Sequence, residues 1–273
     1  MKNIFSILTI VLIFLLASCQ DVVDVDLETA PPKLVVEASI NWEKGTPGNI
    51  QRINLSTTTS YFSTTFPAVS GATVQVKNSS NIVFNFTQTG TTGEYECTNF
   101  IPKINESYTL TIIYNQQTYQ ATETLTAVAP ITIINQNNNA GINGRQIEVK
   151  TLYNDPAAVK NFYLFKFKYP GLARPDYYVS ADDFYNGNPF FSIAQEDDLK
   201  QNDIVEITHF GVSQTYFNYL SILLDIAGSV GGAPFQSPPG TVKGNVINQT
   251  SFDDFPLGYF SLSESDKRIY TVQ

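Results

Sequence analysis

Few side chains in this sequence could catalyse a reaction. His209 is the only histidine, and it ends an alternating apolar stretch beside Phe210 and Gly211. Serine and cysteine hydrolases need an imidazole within reach of the nucleophile, and zinc sites need several His or Cys ligands. One histidine and two cysteines cannot fill these roles, and the sequence has no phosphate-binding glycine motif. We therefore expect a structural or surface role for His209, no cofactor and no enzymatic activity.

Carboxylates are the remaining side chains that could catalyse a reaction or bind a metal ion. Three acidic clusters fall in predicted loops: Asp182-Asp183, Glu196-Asp197-Asp198 and Asp253-Asp254. Such groups bind calcium, and a pair facing each other across a cleft hydrolyses a glycosidic bond. None of the clusters has the spacing of an EF-hand loop, so we interpret them as solvated loop charge. Calcium binding and a carboxylate-dependent glycan hydrolase stay as alternatives.

Aromatic side chains in polar loops are the candidates for ligand binding. Trp42, the only tryptophan, follows the first predicted strand, and Tyr61, Phe62 and Phe66 lie in a stretch rich in Ser and Thr. Loops gather at the ends of a β-sandwich, where an exposed ring can anchor a ligand. We predict ligand contacts at Trp42, Tyr61 and Phe62, while most other aromatic residues fill the cores.

One cysteine has a predicted covalent role. Lys2 precedes an apolar run from Ile4 to Leu16, which is typical of a secretory signal and is shorter than the roughly 20 residues of a membrane span. The following residues, Leu16-Ala17-Ser18-Cys19, resemble a bacterial lipobox, in which the cysteine is lipidated and becomes the first residue. We therefore predict a signal peptide at 1–18, lipid attachment at Cys19 and an acidic tether at 19–32.

Composition excludes several partners and cross-links. Removal of Lys2 with the signal leaves 15 of the 16 basic residues against 25 acidic ones. Nucleic acid and anionic head groups both require basic patches, so we expect no nucleic-acid partner and assign membrane attachment to the lipid. With Cys19 lipidated, Cys97 has no disulfide partner, and we expect it to be a buried, unreactive residue.

The first half of the mature chain predicts a β-sandwich. From Lys33 onwards, apolar residues alternate with polar ones, and turn residues separate about seven short strands. That count matches an immunoglobulin-like sandwich, although the Cys, Trp and Cys spacing of antibody domains is absent. Asn115-Gln116 fits a two-residue hairpin turn. We predict an all-β, mainly antiparallel fold whose first domain is an immunoglobulin-like sandwich at 33–128.

The second half has a less regular strand pattern and one helix. We predict a β-rich domain at 131–273, with an aromatic-rich central strand at 162–169. Apolar residues recur at helical spacing near 214–227, with Ser213 as the N-cap and Gly228 as the residue after the last turn. The glycines and prolines between 228 and 240 predict a long loop.

Several short motifs together resemble the DUF4249 family of Bacteroidota envelope lipoproteins. Besides the lipobox, they are Leu34-Val35-Val36-Glu37-Ala38, Tyr61-Phe62, Val69-Ser70-Gly71-Ala72-Thr73-Val74, Gly93-Glu94-Tyr95, Ser107-Tyr108-Thr109-Leu110, Gly244-Asn245-Val246-Ile247-Asn248 and Leu257-Gly258-Tyr259-Phe260. The resemblance implies an outer-membrane lipoprotein without established activity, often encoded beside a TonB-dependent transporter. It provides no catalytic residues.

On this basis we expect a lipid-anchored binding or accessory module. We expect it to partner a TonB-dependent transporter in nutrient capture. A purely structural envelope protein is the main alternative. Acidic residues soon after Cys19 resemble the surface-export signal of lipoproteins in that phylum, but Gln20, Val22 and Val23 dilute it. The sequence therefore leaves both the periplasmic and the surface face of the outer membrane open.

Overall fold

The computed structural model describes residues 31–60, 63–141, 144–157, 159–229 and 240–273. The predicted signal peptide, Cys19 and nearly all of the tether lie outside these ranges, as do Tyr61 and Phe62. Residues Pro32–Gln273 form one compact unit. Among the described residues, no helix combines the length and the apolar character needed to cross a membrane.

The all-β prediction is confirmed, and the described chain contains a single helix. The elements are β1 (Leu34–Glu43), β2 (Gln51–Thr57), β3 (Thr73–Asn78), β4 (Val83–Thr89), β5 (Glu94–Cys97), β6 (Ser107–Tyr114), β7 (Gln117–Thr124), β8 (Ile131–Ala140), β9 (Gln146–Asn154), β10 (Phe162–Lys168), β11 (Asp176–Ala181), β12 (Pro189–Gln195), β13 (Ile204–Val212), α1 (Gln214–Ser229), β14 (Ile247–Asn248) and β15 (Leu257–Thr271).

The first seven strands form the predicted sandwich. Alternation places Leu34, Val36, Ala38 and Ile40 of β1 in one apolar core that is shared with the inward residues of β2 to β7. Strand β4 pairs with β5 through its last residues and with β3 through its first, so it connects the two layers. Asn115 and Gln116 form the two-residue turn between β6 and β7, both with positive φ, as the sequence predicts.

The second half has three layers. Its central layer has the order β11-β10-β13-β15, and the separate sheet β12-β9-β8 packs on one face of it. Helix α1 packs on the opposite face, through Leu220 against Phe162 and Leu164. Strand β10 lies between two strands and is buried on both faces, which confirms the predicted central position of this aromatic run.

Helix α1 starts where the sequence predicts. The Ser213 hydroxyl accepts a hydrogen bond from the backbone N–H of Tyr216 at 3.1 Å, which is the geometry of an N-cap. The predicted end is wrong, because the helix includes Gly228 and ends at Ser229. A glycine inside the last turn is tolerated here because its position is exposed and its Cβ would meet no neighbour.

Two strands have no counterpart in the sequence prediction, β12 and the fifteen-residue β15. Strand β15 pairs in parallel with β1 and antiparallel with β13, so one sheet of twelve strands runs through both halves. Its residues Phe260 and Leu262 belong to the sandwich core, whereas Val272, just beyond its end, belongs to the second core. Strand pairing therefore crosses the boundary drawn between 128 and 131, and independent folding of the two halves stays a prediction.

Candidate ligand-binding groove

A groove lies on the solvent side of β1 and β2. The residues of β1 that alternate with its core positions, Val35 and Glu37, point outwards, and they lie opposite Ser56 and Asn54 of β2. We call this feature the Phe66 groove. Its lining consists of Val35, Glu37, Asn54, Leu55, Ser56, Thr58, Thr59, Phe66, Ala68 and Thr92.

The size of the Phe66 groove suits a small ligand. It encloses about 450 Å³, and ligand sites span roughly 300–1,000 Å³. Two other grooves in the described part of the chain are smaller. One lies beside helix α1 and encloses about 260 Å³, and the other lies beside Tyr169 and encloses about 190 Å³.

The chain after β2 folds back to form one wall of the groove. The backbone N–H of Thr57 donates to the carbonyl of Pro67 at 2.9 Å, and that of Val69 donates to the carbonyl of Leu55 at 3.0 Å. These bonds fix the backbone on both sides of Ala68. Phe66 precedes this anchored segment, and 71% of its side-chain surface is exposed. The groove therefore presents an accessible aromatic ring next to an anchored backbone segment.

Gly93 allows the turn before β5 to approach the same wall, beside Ala68 and Val69. Its carbonyl accepts a hydrogen bond from the N–H of Leu55 at 2.9 Å. Its φ is +76°, and a Cβ added there would lie 2.2 Å from the carbonyl oxygen of Leu55. Only glycine fits this contact, which brings Thr92 into the lining of the groove.

The polar groups of the lining define its chemistry. The hydroxyl groups and the Asn54 amide can accept and donate hydrogen bonds, the Glu37 carboxylate can accept them, and Phe66 offers an apolar face. The described lining contains one carboxylate and no basic side chain. A ligand bearing hydroxyl or amine donors would therefore fit better than an anion.

The structure does not bring Trp42 to this groove. Trp42 lies seven residues along β1 from Val35, which corresponds to about 23 Å of extended chain. Its indole N–H donates to the carbonyl of Thr46 at 2.9 Å, and its ring packs against Gly48 and Pro102. Its environment is that of a residue stabilising the turn after β1, and its predicted ligand contact stays a prediction. Tyr61 and Phe62 lie outside the described residues.

Of the groove residues, the sequence singled out Phe66 but neither Glu37 nor Asn54. The Ser- and Thr-rich stretch marked Phe66 as an exposed aromatic residue, and the structure confirms its exposure. Glu37 and Asn54 gave no such signal, because an outward polar residue on a strand is solvated by default. Only the return of the chain after β2 turns this part of the strand surface into a groove.

The groups considered for catalysis lie elsewhere and are engaged in the fold. His209 is fully buried and stacks on Phe165 with ring centroids 4.1 Å apart. Desolvation in this aromatic core lowers the pKa of its imidazole to about 3, with a small opposing effect from the backbone of Ala129. Neither ring nitrogen has a hydrogen-bond partner of acceptable geometry among the described residues. The structural role expected for His209 is confirmed.

Cys97 is buried and free, as expected, and burial raises the pKa of its thiol. A buried thiol with a raised pKa has little reactive thiolate. Among the described residues, no group of three or more His, Cys, Asp or Glu side chains is arranged to hold a metal ion.

The two members of the first acidic cluster, Asp182-Asp183, have different environments in the structure. Asp182 is buried and accepts hydrogen bonds from the N–H of Asn161 at 2.8 Å and from the side chain of Asn186 at 3.0 Å. Its neighbour Asp183 is exposed and forms an ion pair with Lys160 at 2.6 Å. Asp182 therefore stabilises the fold, and Asp183 faces the solvent.

Comparison with solved structures identifies distant similarities. A DUF4785 family protein from Legionella pneumophila shares 10% identity, with 65% of this chain and 52% of that chain covered and a TM-score of 0.26. A pullulanase from Anoxybacillus sp. LM18-11, solved with maltotriose, shares 11% identity, with 64% and 24% covered and a TM-score of 0.22. The chain thus spans about half of the first protein and a quarter of the second.

No curated protein matches the chain. The family model described as "Domain of unknown function (DUF4249)" matches residues 20–269, which is most of the sequence. The chain therefore belongs to the DUF4249 family.

Proposed function

We propose that this chain is a lipoprotein of the outer membrane of Bacteroidota that binds a small polar ligand in the Phe66 groove. In this role it acts as a binding or accessory module, passing the ligand to a TonB-dependent transporter or holding it nearby. The observation that carries the proposal is the groove itself, because it combines a ligand-sized volume with an exposed aromatic ring and several hydrogen-bonding groups.

The lining favours a neutral ligand rich in hydroxyl groups, such as a short oligosaccharide. Hydroxyl groups can donate to Glu37 and to the Asn54 oxygen, and the face of a sugar ring can pack on Phe66. Neighbouring Cα positions on paired strands place Glu37 beside Asn54, so both can contact the same ligand unit.

Binding can be tested by calorimetry with cellotriose, laminaritriose and mannotriose as probes. We expect Phe66→Ala and Glu37→Gln each to weaken the binding of a recognised trisaccharide about tenfold, since an anchor residue contributes more than about 1 kcal/mol. Phe184→Ala is the matched control, because Phe184 is a fully exposed phenylalanine outside the groove. Equal affinity of the Phe66 and Phe184 variants would contradict binding at this groove.

The lipid anchor has a separate test. Cys19→Ala should release the protein from the membrane fraction or leave it with an uncleaved signal peptide. Cys97→Ala is the control and should remain membrane-bound, because Cys97 is buried in the sandwich core. A Cys19→Ala protein that is processed normally and stays on the membrane would contradict the lipobox interpretation.

A glycan hydrolase is less well supported by the groove. Glycosidases use two carboxylates across the scissile bond, and Glu37 is the one carboxylate among the described lining residues. Glu94 lies on the strand beyond Asn54, where it accepts a hydrogen bond from Thr89 at 2.8 Å and pairs with Arg52 at 3.5 Å. Release of reducing sugar from the same trisaccharides would favour the hydrolase, and absence of any binding would favour a structural envelope protein.

A further inference from the structure

An exposed phenylalanine is held at the tip of a well-ordered turn before β15. The side-chain amide of Asn248 donates to the carbonyl of Asp254 at 2.9 Å, and its oxygen accepts from the N–H groups of Thr250 and Ser251 at 2.9 and 3.0 Å. Asn248 itself is buried. These three bonds close the turn around Phe252, whose side chain is 79% exposed. An apolar ring exposed to solvent has a hydration cost that a binding surface would remove.

Two lysines lie beside this turn. The ammonium groups of Lys33 and Lys243 lie 4.1 and 3.8 Å from the centre of the Phe255 ring. Lys33 also forms an ion pair with Asp254 at 3.7 Å. We call the surface formed by Lys33, Lys243, Phe252 and Phe255 the tether end. The two positive charges of Lys33 and Lys243 are balanced by the carboxylates of Asp253 and Asp254 in the same turn.

The tether end lies where the chain enters the sandwich. Lys33 immediately precedes β1, and the residues between Cys19 and Pro32 number twelve. A chain of that length reaches at most about 40 Å. Phe66 also lies at this end, since Thr57, which bonds to Pro67, pairs with Leu34. Of the three phenylalanines that are more than two-thirds exposed in the described chain, Phe252 belongs to the tether end, Phe66 lies in the groove at the same end of the sandwich, and the third is Phe184.

We propose that the tether end rests on the head-group layer of the membrane that holds the lipid anchor, with the ring of Phe252 inserted at the boundary with the acyl chains. This inference rests on the proposed lipidation of Cys19. An exposed aromatic ring in the same turn as a lysine-bearing ring suits this boundary, because Phe252 can enter the apolar region while the ammonium groups over Phe255 stay at the phosphates. Because the local charges balance, the contact forms on zwitterionic lipid and does not require anionic head groups.

The test uses the lipidated full-length protein in phosphatidylcholine vesicles. Phe252→Trp reports on the tether end, and Phe184→Trp is the control at an exposed position outside it; the emission of Trp42 is subtracted by measuring the unsubstituted protein. Phosphatidylcholine brominated on its acyl chains quenches a nearby indole. We expect a blue shift and loss of most of the emission for the tryptophan at position 252, and unchanged emission for the one at position 184.

The possible failures are distinguishable. If the protein floats with the vesicles but the tryptophan at position 252 is not quenched, the membrane contact of the tether end is overturned while the anchor stands. Equal quenching of the tryptophans at positions 252 and 184 would also overturn it, because the contact would then not be specific to this surface. If the protein does not float with the vesicles, the proposed anchor is overturned, and this inference with it.

Discussion

The two halves of the chain satisfy their buried tyrosine hydroxyls in different ways. In the sandwich, the hydroxyl of Tyr95 donates to the carbonyl of Val69 at 3.0 Å and accepts from the N–H of Ala72 at 3.0 Å. The hydroxyl of Tyr108 bonds in the same way to the backbone at 101 and 103. Polar groups of this core are thus paired with the backbone of loops at its edge.

In the second half, the tyrosine hydroxyls bond to other side chains inside the core. Tyr163 donates to the Asp155 carboxylate at 2.6 Å, and the hydroxyl groups of Tyr153 and Tyr185 are 3.0 Å apart. His209 lies among these rings without a partner among the described residues. Apolar periodicity identifies the core faces of β1 to β7, whereas the second core also contains polar side chains whose partners lie on other strands.

The largest expected effect comes from separating the halves. The sequence predicts that the fragment 33–126 folds by itself, but its core includes Val246, Phe260 and Leu262 from the far end of the chain. Without β15, one edge of β1 is also unpaired. We therefore expect no cooperative thermal transition of the fragment by circular dichroism, while 32–273 melts cooperatively. A fragment that melts with a sharp transition would show that the sandwich is independent of β15.

A single methyl group should disturb the same connection. Gly258 has a φ of +91°, and a Cβ there would lie 2.0 Å from the backbone oxygen of Val36. Because the contacting atoms belong to the backbone of Val36 in β1, which is paired with β15, they cannot move aside easily. We expect Gly258→Ala to lower the free energy of unfolding by about 4 kcal/mol or more, measured by urea denaturation. Gly71→Ala, with positive φ but open space around it, is the control and should cost much less.

Removing one polar partner should destabilise the second core. Asp155 is buried, and besides Tyr163 it accepts a hydrogen bond from the N–H of Gly187 at 2.9 Å. Asp155→Ala leaves the buried Tyr163 hydroxyl and the partly buried N–H group of Gly187 without their acceptor, so we expect a loss of about 3 kcal/mol in the free energy of unfolding. Asp183→Ala is the control, because that carboxylate is exposed, and it should change stability by less than about 0.5 kcal/mol. Equal effects of the two substitutions would mean that the buried network does not stabilise this half.

The smallest effect is a pH dependence that only the second half should show. The pKa of His209 is about 3 in the folded chain, below its ordinary value of 6.5. Between these values the unfolded state binds one more proton, so the free energy of unfolding falls as the pH falls, by about 1.4 kcal/mol per pH unit. His209→Phe keeps an aromatic ring in the core and removes this titration.

Urea denaturation of both proteins measures the difference. From about pH 7 to about pH 5, the unsubstituted protein should lose about 2 kcal/mol more than the His209→Phe variant. Carboxylates titrate in both proteins and cancel in the comparison. Parallel pH profiles would show that His209 is solvated or paired in the folded state, contrary to its buried position.

The sequence by itself determined the features that depend on neighbouring residues. The period-two pattern placed the core faces of β1 to β7, and Asn115-Gln116 located a hairpin turn. Ser213 located the start of helix α1, since an N-cap bonds to a residue only three positions away. The motifs quoted from the whole chain also indicated the DUF4249 family, which the match over 20–269 confirms.

Only the tertiary structure decided where β15 lies and how the Phe66 groove forms. The sequence of β15 is polar in Ser261, Ser263 and Asp266, yet these residues are buried. The Asp266 carboxylate accepts a hydrogen bond from the N–H of Ile131 at 2.8 Å, a partner 135 positions away that no local pattern reveals. The groove likewise depends on the chain after β2 returning beside Ser56, which brings Phe66 and Ala68 into the lining with Glu37 and Asn54. Periodicity reports which face of a strand is apolar. The partners of a buried polar group, and the segments that lie beside an exposed one, are set by contacts between distant parts of the chain.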